Sequence, residues 1–187
     1  LIGLPSAGAF STLWIANEER AEDIERRLKA VYLQHGIKAS DDIIVRAKDK
    51  GMLTLVTVDA DGTPRLHMEN IALLAEEIAR SGCSVVVFDP YVTLAEGGDE
   101  NSATTAAMIT KALNLLTQLT GCAVLHAHHT PKDRSKDVDW YRGDSGAWRG
   151  SGAIYSALDC GYTLSNWMPK GKDPRKNWKA DYLDLKL

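Results

Sequence analysis

Polar side chains suited to acid–base or metal chemistry follow three apolar runs of the chain, each where its run ends. They are Asp89 after Ser84–Phe88, Glu18 and Glu19 after Thr12–Ala16, and His128 and His129 after Cys122–His126. Carboxylates order the water around Mg²⁺, which is reluctant to lose its hydration shell. Carboxylates and imidazoles also transfer protons to and from water. The pattern therefore predicts a site where a hydrated cation and an activated water molecule meet.

Each carboxylate also has a simpler interpretation. Asp and Pro are common turn residues, so Asp89 and Pro90 could simply begin a turn. Glu18 and Glu19 could favour the N-terminus of a following helix through its dipole. In the functional interpretation, Asp89 holds Mg²⁺ through water, and a glutamate activates a water molecule for in-line attack on a phosphoryl group.

The sequence His126-Ala127-His128-His129 leaves two possibilities open. His126 and His128 lie on the same side of a strand, so their imidazoles could converge on a metal ion. Zinc sites use three or four ligands, however, and no HExxH sequence or Cys pair accompanies these histidines. Alternatively, a histidine at the strand tip lies near the γ-phosphate of a nucleotide.

Arg149 lies between Trp148 and Gly150, just before a predicted helix. Most single arginines are solvated surface residues. An arginine beside glycine can also reach a phosphate, because the guanidinium is always charged and binds oxyanions in a bidentate manner.

Apolar runs alternate with amphipathic segments along the chain. The predicted strands are Thr12–Ala16, Met52–Val58, Cys83–Phe88, Cys122–His126 and one near Cys160–Leu164, and the predicted helices are Ala21–His35, Asn70–Arg80, one ending near Thr120, and Ser151–Leu158. Continuously apolar strands are covered on both faces, which predicts an α/β fold with a mostly parallel sheet and helices on both sides. Ligands of such sheets bind beyond the carboxyl ends of the strands. The polar groups are therefore expected to meet at one edge.

Composition excludes several classes of protein. The chain has 187 residues, of which 44% are hydrophobic and 25% charged, as in a soluble globular domain. The net charge of −3 argues against coating nucleic acid by bulk charge. No apolar run has the roughly 18 residues of a membrane span, and no signal peptide is visible. Three widely spaced cysteines indicate reduced thiols, so we expect a cytoplasmic protein without a membrane partner.

The order of the motifs resembles that of the RecA-like AAA-family ATPases of the plasmid hexameric replicative helicase (RepA) type and their phage and prophage relatives. The segments that carry the resemblance are Leu13–Glu19, Glu25–Leu28, His35–Ile37, Val85–Pro90, Gly121–Lys132 and Arg149–Ser151. The resemblance covers about residues 1–165. It implies a RecA-like core that binds ATP and Mg²⁺ and assembles into a ring, typically a hexamer, often acting on DNA.

The resemblance also implies roles for individual residues. Glu18 matches the carboxylate that activates water, and Asp89 matches the Walker B aspartate that holds Mg²⁺ through water. His129, or its neighbour His128, matches the sensor at the strand tip, and Arg149 matches the finger that reaches a neighbouring subunit's nucleotide. The cofactor-binding residues are then Glu19, Asp89 and His128.

One part of the family pattern is missing from the sequence. No GxxxxGK followed by Ser or Thr occurs, and after Gly3–Gly8 the chain continues with Ala9 and Phe10. We expect the phosphate-binding loop (P-loop) to lie upstream of Leu1, or a loop and helix to be missing between Gly8 and Phe10. The chain is then the hydrolytic half of an ATPase site and is inactive alone.

The resemblance thus implies a RecA-like ATPase core over residues 1–165, and a basic C-terminal segment follows over 166–187. Lys170–Lys179 carries five basic residues near Trp167 and Trp178, a composition that suits single-stranded DNA by charge and stacking. Two other functions stay open. One is a non-catalytic RecA-like module for assembly or DNA binding, and the other is a metal-dependent hydrolase using Asp89 and His126–His129.

Overall fold

Nine strands and three α-helices are present in the part of the chain that the computed structural model describes. That part comprises residues 10–99, 102–129, 154 and 157–159, with the backbone of 163–166 and 183–186. The strands are β1 (Thr12–Ala16), β2 (Ile43–Ala47), β3 (Val56–Val58), β4 (Pro64–Leu66), β5 (Val85–Asp89), β6 (Ala95–Glu96), β7 (Ala123–His126), β8 (Thr163–Asn166) and β9 (Leu183–Lys186). The helices are α1 (Ala21–His35), α2 (Met68–Ser81) and α3 (Ala103–Thr120), with 3-10 turns at Lys48–Lys50 and Tyr91–Leu94.

Four parallel strands form the central sheet in the order β2-β1-β5-β7. Strand β1 pairs with β5 so that Ala16 lies opposite Asp89, and β5 pairs with β7 so that Phe88 lies opposite His126. The carboxyl ends of three adjacent strands therefore lie side by side. The predicted α/β fold with a mostly parallel sheet is confirmed.

Helices cover both faces of this sheet, as the apolar strands predict. Helix α1 contributes Ile24, which is buried with Ala16 and Ala47 on one face. Helices α2 and α3 pack on the opposite face, where the core is larger. That core includes Leu13, Ile15, Val86 and Phe88 from the strands, Ile71, Leu74 and Ile78 from α2, and Ala106, Ile109, Leu113 and Leu116 from α3. Burial of these side chains supplies the main driving force for the fold.

The predicted helix ends agree closely with the structure. Helices α1 and α3 end at Gly36 and Gly121, whose φ values of 62° and 72° lie in the left-handed region. Glycine adopts that region without the steric cost of a Cβ atom. At the other end of α3, the Ser102 hydroxyl accepts a hydrogen bond from the Thr105 backbone N–H at 3.2 Å.

The second β region differs from the prediction. The expected strand Met52–Val58 is wrong over its first half, because only Val56–Val58 is a strand. It pairs with β4 and β6 in a small separate sheet. Strand β2 of the central sheet was not predicted, nor was β9, which pairs antiparallel with β8. The proposed division of the chain at residue 165 stays a prediction.

Two further expectations concern cysteines and membranes. Cys83 and Cys122 are buried free thiols, as predicted, whereas Cys160 lies outside the described residues. Within the described ranges, no helix combines the length and the apolar character needed to cross a bilayer.

Candidate functional site

The candidate site lies where β1, β5 and β7 end. Asp89 is the last residue of β5, and its backbone carbonyl accepts a hydrogen bond from the Asn17 N–H at 3.0 Å. Glu18 is the next residue after Asn17. On the other side of β5, the Ala127 N–H donates to the Phe88 carbonyl at 2.9 Å, just before His128. The sheet thus brings the two carboxylates and the histidine pair to one edge, as predicted.

The two glutamates at the end of β1 differ in their surroundings. Glu19 forms an ion pair with Arg27 of α1, and its backbone carbonyl accepts a hydrogen bond from the Lys48 N–H at 3.0 Å. Glu18 is exposed and makes no hydrogen bond or ion pair within the described ranges. Its carboxylate can therefore accept a proton from water, while that of Glu19 is engaged by a guanidinium.

Asp89 is half-buried and begins a tight connection. The Asp89–Pro90 peptide bond is cis, and the 3-10 turn Tyr91–Leu94 follows. Among the residues that the structure describes, the Asp89 carboxylate has no hydrogen-bond or ion-pair partner. A carboxylate in this position can bind the waters of a hydrated Mg²⁺ ion.

Tyr91 joins the turn after Asp89 to the tip of β7. Its backbone N–H donates to the Ala127 carbonyl at 2.8 Å, and its hydroxyl donates to the Ala106 carbonyl of α3 at 3.2 Å. The Tyr91 ring stacks on that of His128 with centroids 5.3 Å apart, and it lies 4.8 Å from the ring of His126. Burial raises the pKa of Tyr91 to about 12, so its hydroxyl stays protonated and can keep donating.

The histidines on β7 have different environments. Burial, with a smaller contribution from the neighbouring His128, lowers the pKa of His126 to about 4. His126 is therefore a neutral, half-buried ring at pH 7. His128 Nδ1 donates to the His129 carbonyl at 2.9 Å, and the His129 side chain is exposed at the tip.

Metal binding by side chains alone has little support in the described part of the chain. No group of three or more His, Cys, Asp or Glu side chains there is arranged to hold a metal ion. A zinc centre uses three or four protein ligands, so the described residues do not favour one at the histidines. A hydrated Mg²⁺ needs fewer protein ligands, because substrate phosphates and water complete its coordination.

Comparison with protein families shows the family of this chain. A profile of the AAA domain family matches residues 3–135, well over half of the chain. The chain belongs to this AAA domain family. The matched range contains β1, β5 and β7 and every described residue of the candidate site.

A solved structure shows the fold of this AAA domain. The KaiC-like protein from the hyperthermophilic archaeon Pyrococcus horikoshii OT3 superimposes with a TM-score of 0.52 at 12% sequence identity. The match covers 87% of this chain and 62% of the archaeal chain, so the chain spans less than two thirds of its neighbour's length. The fold is therefore that of a RecA-like core. No protein of curated function matches the sequence.

Some residues and segments with predicted roles lie outside the described residues. Arg149, the Gly3–Gly8 segment and the basic Lys170–Lys179 segment belong to this group. Their roles stay predictions, as does the expected place of the phosphate-binding loop, upstream of Leu1 or between Gly8 and Phe10. The roles of Glu18, Glu19, Asp89, His128 and His129 also stay predictions, although the structure places these residues together.

Two residues of the site were not expected from the sequence. Asn17 and Tyr91 connect the three strand ends, yet neither is a usual nucleophile, base or metal ligand. The sequence could have indicated Asn17 by its position, because it is a polar residue directly after an apolar strand and directly before Glu18. The signal for Tyr91 was its place directly after Asp89 and Pro90.

Proposed function

We propose that this AAA domain is the hydrolytic part of an ATPase that uses ATP and Mg²⁺. The observation that carries the proposal is the adjacency of β1, β5 and β7, which places Glu18, Asp89 and His128–His129 at one sheet edge. Ligands of parallel sheets bind at this edge. Membership of the AAA domain family supports nucleotide chemistry there.

In the proposed reaction, each group has one role. Asp89 would hold Mg²⁺ through water, and the cation would offset the negative charge of the phosphates. Glu18 accepts a proton from the water that attacks the γ-phosphorus, as the bond from that phosphorus to the ADP oxygen breaks. His129 or His128 donates to a γ-phosphate oxygen and so detects whether the phosphate is present. The exposed position of Glu18, without a partner in the described ranges, supports its choice over Glu19.

The proposed ATPase requires a phosphate-binding loop that this sequence does not contain. Phosphate capture uses consecutive backbone N–H groups and a lysine from a GxxxxGK loop, and this sequence contains no such motif. We therefore propose that the loop belongs to a segment outside this sequence. The parent protein is defined here as the polypeptide that carries this chain together with that loop.

The finer proposal is a motor of the replicative-helicase type. It rests on the resemblance to ring-forming RepA-type ATPases, with Arg149 completing the site of a neighbouring subunit and the basic C-terminal segment contacting single-stranded DNA. Stimulation of ATP hydrolysis by single-stranded DNA, and displacement of a paired strand, test this part. ATP hydrolysis that is indifferent to DNA would remove the helicase role and leave the ATPase intact.

The ATPase itself is tested by Glu18→Gln in the parent protein. We expect ATP affinity within about twofold of wild type and turnover lower by at least about 100-fold, because a positioned base contributes that much. Glu19→Gln is the matched control, since it has the same chemistry one residue away, and we expect turnover within about threefold of wild type. That limit reflects the small contribution of its exposed ion pair with Arg27.

Two results would contradict these assignments. Equal loss of binding and turnover in Glu18→Gln would assign Glu18 a structural role. A larger loss in Glu19→Gln would transfer the role of base to Glu19.

A further inference from the structure

A buried amide lies directly before Glu18. Asn17 is only 4% exposed, and it follows the last residue of β1. Its Nδ2 group donates to the Leu53 carbonyl at 2.9 Å and to the Thr93 hydroxyl at 2.8 Å. Its Oδ1 atom accepts from the Leu53 N–H at 3.0 Å. Both amide donors and the acceptor are therefore paired, which offsets the cost of burying them.

These bonds connect β1 to the segment that begins at Asp89. The Thr93 hydroxyl, which accepts from Asn17, donates its own proton to the Pro90 carbonyl at 2.7 Å. The Asn17 backbone N–H donates to the Asp89 carbonyl at 3.0 Å. Asn17 is thus bonded to the Asp89–Thr93 segment through both its backbone and its side chain.

The third connection runs to Leu53, in the segment that precedes β3. Leu53 is buried, and it exchanges two hydrogen bonds with the Asn17 side chain. Because these bonds approach Asn17 from two separate segments, the end of β1 cannot shift along its strand without breaking several of them. Glu18 directly follows this bonded residue, and its own side chain is exposed.

We propose that Asn17 is the positioning residue that fixes Glu18 relative to Asp89. The inference rests on the proposed ATPase function and adds a residue without catalytic chemistry of its own. Misplacement of a catalytic group by about 1 Å can lower the rate about 100-fold. A residue that holds Glu18 in position therefore raises the rate of hydrolysis.

The test uses Thr93, because Asn17→Ala leaves buried Leu53 groups unpaired and can prevent folding. Thr93→Val keeps the side-chain shape but removes the hydroxyl that bonds Asn17, whereas Thr93→Ser keeps the hydroxyl. In the parent protein, we expect Thr93→Val to lower kcat by about tenfold with KM within about twofold, a smaller loss than full misplacement because the Leu53 bonds persist. Thr93→Ser should have a kcat within about twofold of wild type.

A double variant separates positioning from general damage. If Asn17 acts through Glu18, adding Thr93→Val to Glu18→Gln should lower the remaining turnover by less than about twofold, because effects on one catalytic unit are not additive. A further tenfold loss in that background, or a Thr93→Ser variant as slow as Thr93→Val, would overturn the inference alone. Absence of ATP hydrolysis by the wild-type parent protein would instead overturn the proposed function, and the inference with it.

Discussion

His126 gives the stability of this protein a predictable dependence on pH. Its ring lies on β7 against Tyr91, and its Nδ1 atom is buried without a hydrogen-bond partner among the described residues. Burial lowers its pKa to about 4 in the folded protein, from an ordinary value of 6.5. The unfolded chain therefore binds a proton at a pH where the folded protein does not. Acidification from pH 7 toward pH 4 must then favour unfolding.

The size of this effect follows from the two pKa values. At pH 7, His126 is mostly neutral in both the folded and the unfolded protein, so its titration changes the free energy of unfolding little. At pH 5, it is protonated in nearly all unfolded chains and neutral in most folded ones. One pKa unit corresponds to about 1.4 kcal/mol. We therefore expect His126 alone to lower the free energy of unfolding by about 2 kcal/mol between pH 7 and pH 5.

The assay is urea unfolding of wild type and His126→Leu at both pH values. Leucine has a similar volume and no titratable group. On acidification, the free energy of unfolding of this variant should therefore fall by about 2 kcal/mol less than that of wild type. Val124→Ala, on the same strand and against the same core, is the control because it perturbs packing but keeps His126. Its loss on acidification should equal that of wild type. Equal pH dependence in wild type and His126→Leu would refute the assignment.

Three further outcomes are expected. Arg149→Ala subunits mixed with Glu18→Gln subunits should recover some ATP hydrolysis, because at half of the mixed interfaces an intact glutamate of one subunit meets an intact arginine of its neighbour; no recovery, in rings shown to exchange subunits, would contradict action between subunits. The 187-residue chain alone should neither bind ATP at micromolar concentration nor release phosphate steadily, and calorimetric titration with ATP and Mg²⁺ and a phosphate-release assay check this. Gly98→Ala should lower the free energy of unfolding by about 1–3 kcal/mol, because its Cβ would lie 2.9 Å from Thr105 Cγ2. Thr105→Ser removes that methyl group and should reduce the cost of Gly98→Ala in a double-variant unfolding cycle.

The central strands could be predicted because burial on both faces leaves a local signal. Val85–Asp89 is almost continuously apolar, and its single carboxylate marks the end of the strand. Strand β2 lacks this signal, since it lies at the edge of the described sheet and contains Arg46. That guanidinium is half-buried because it pairs with Glu77 of α2 at 3.2 Å. The pairing joins residues 31 positions apart, and nothing in the local sequence indicates it.

The same limit applies to the candidate site. Glu18, Asp89 and His128 could be named as candidates from the sequence, because polar side chains that directly follow apolar runs are visible locally. The role of Asn17 depends on Leu53 and Thr93, which lie 36 and 76 positions away. Long-range hydrogen bonds of this kind follow from the packing of the loops and not from any spacing in the sequence. Residues that support a site are therefore harder to predict than residues that act in it.

We propose that the carboxyl ends of β1, β5 and β7 together form a site for nucleotide and metal. Mn²⁺ can replace Mg²⁺, and its anomalous scattering locates it in crystals of the parent protein grown with a non-hydrolysable ATP analogue. We predict one peak about 4–5 Å from the Asp89 carboxylate, the separation expected for a water-mediated contact, with Glu18 facing the terminal phosphate. A peak bonded directly to the ring nitrogens of His126 and His128, or one remote from this sheet edge, would contradict the account.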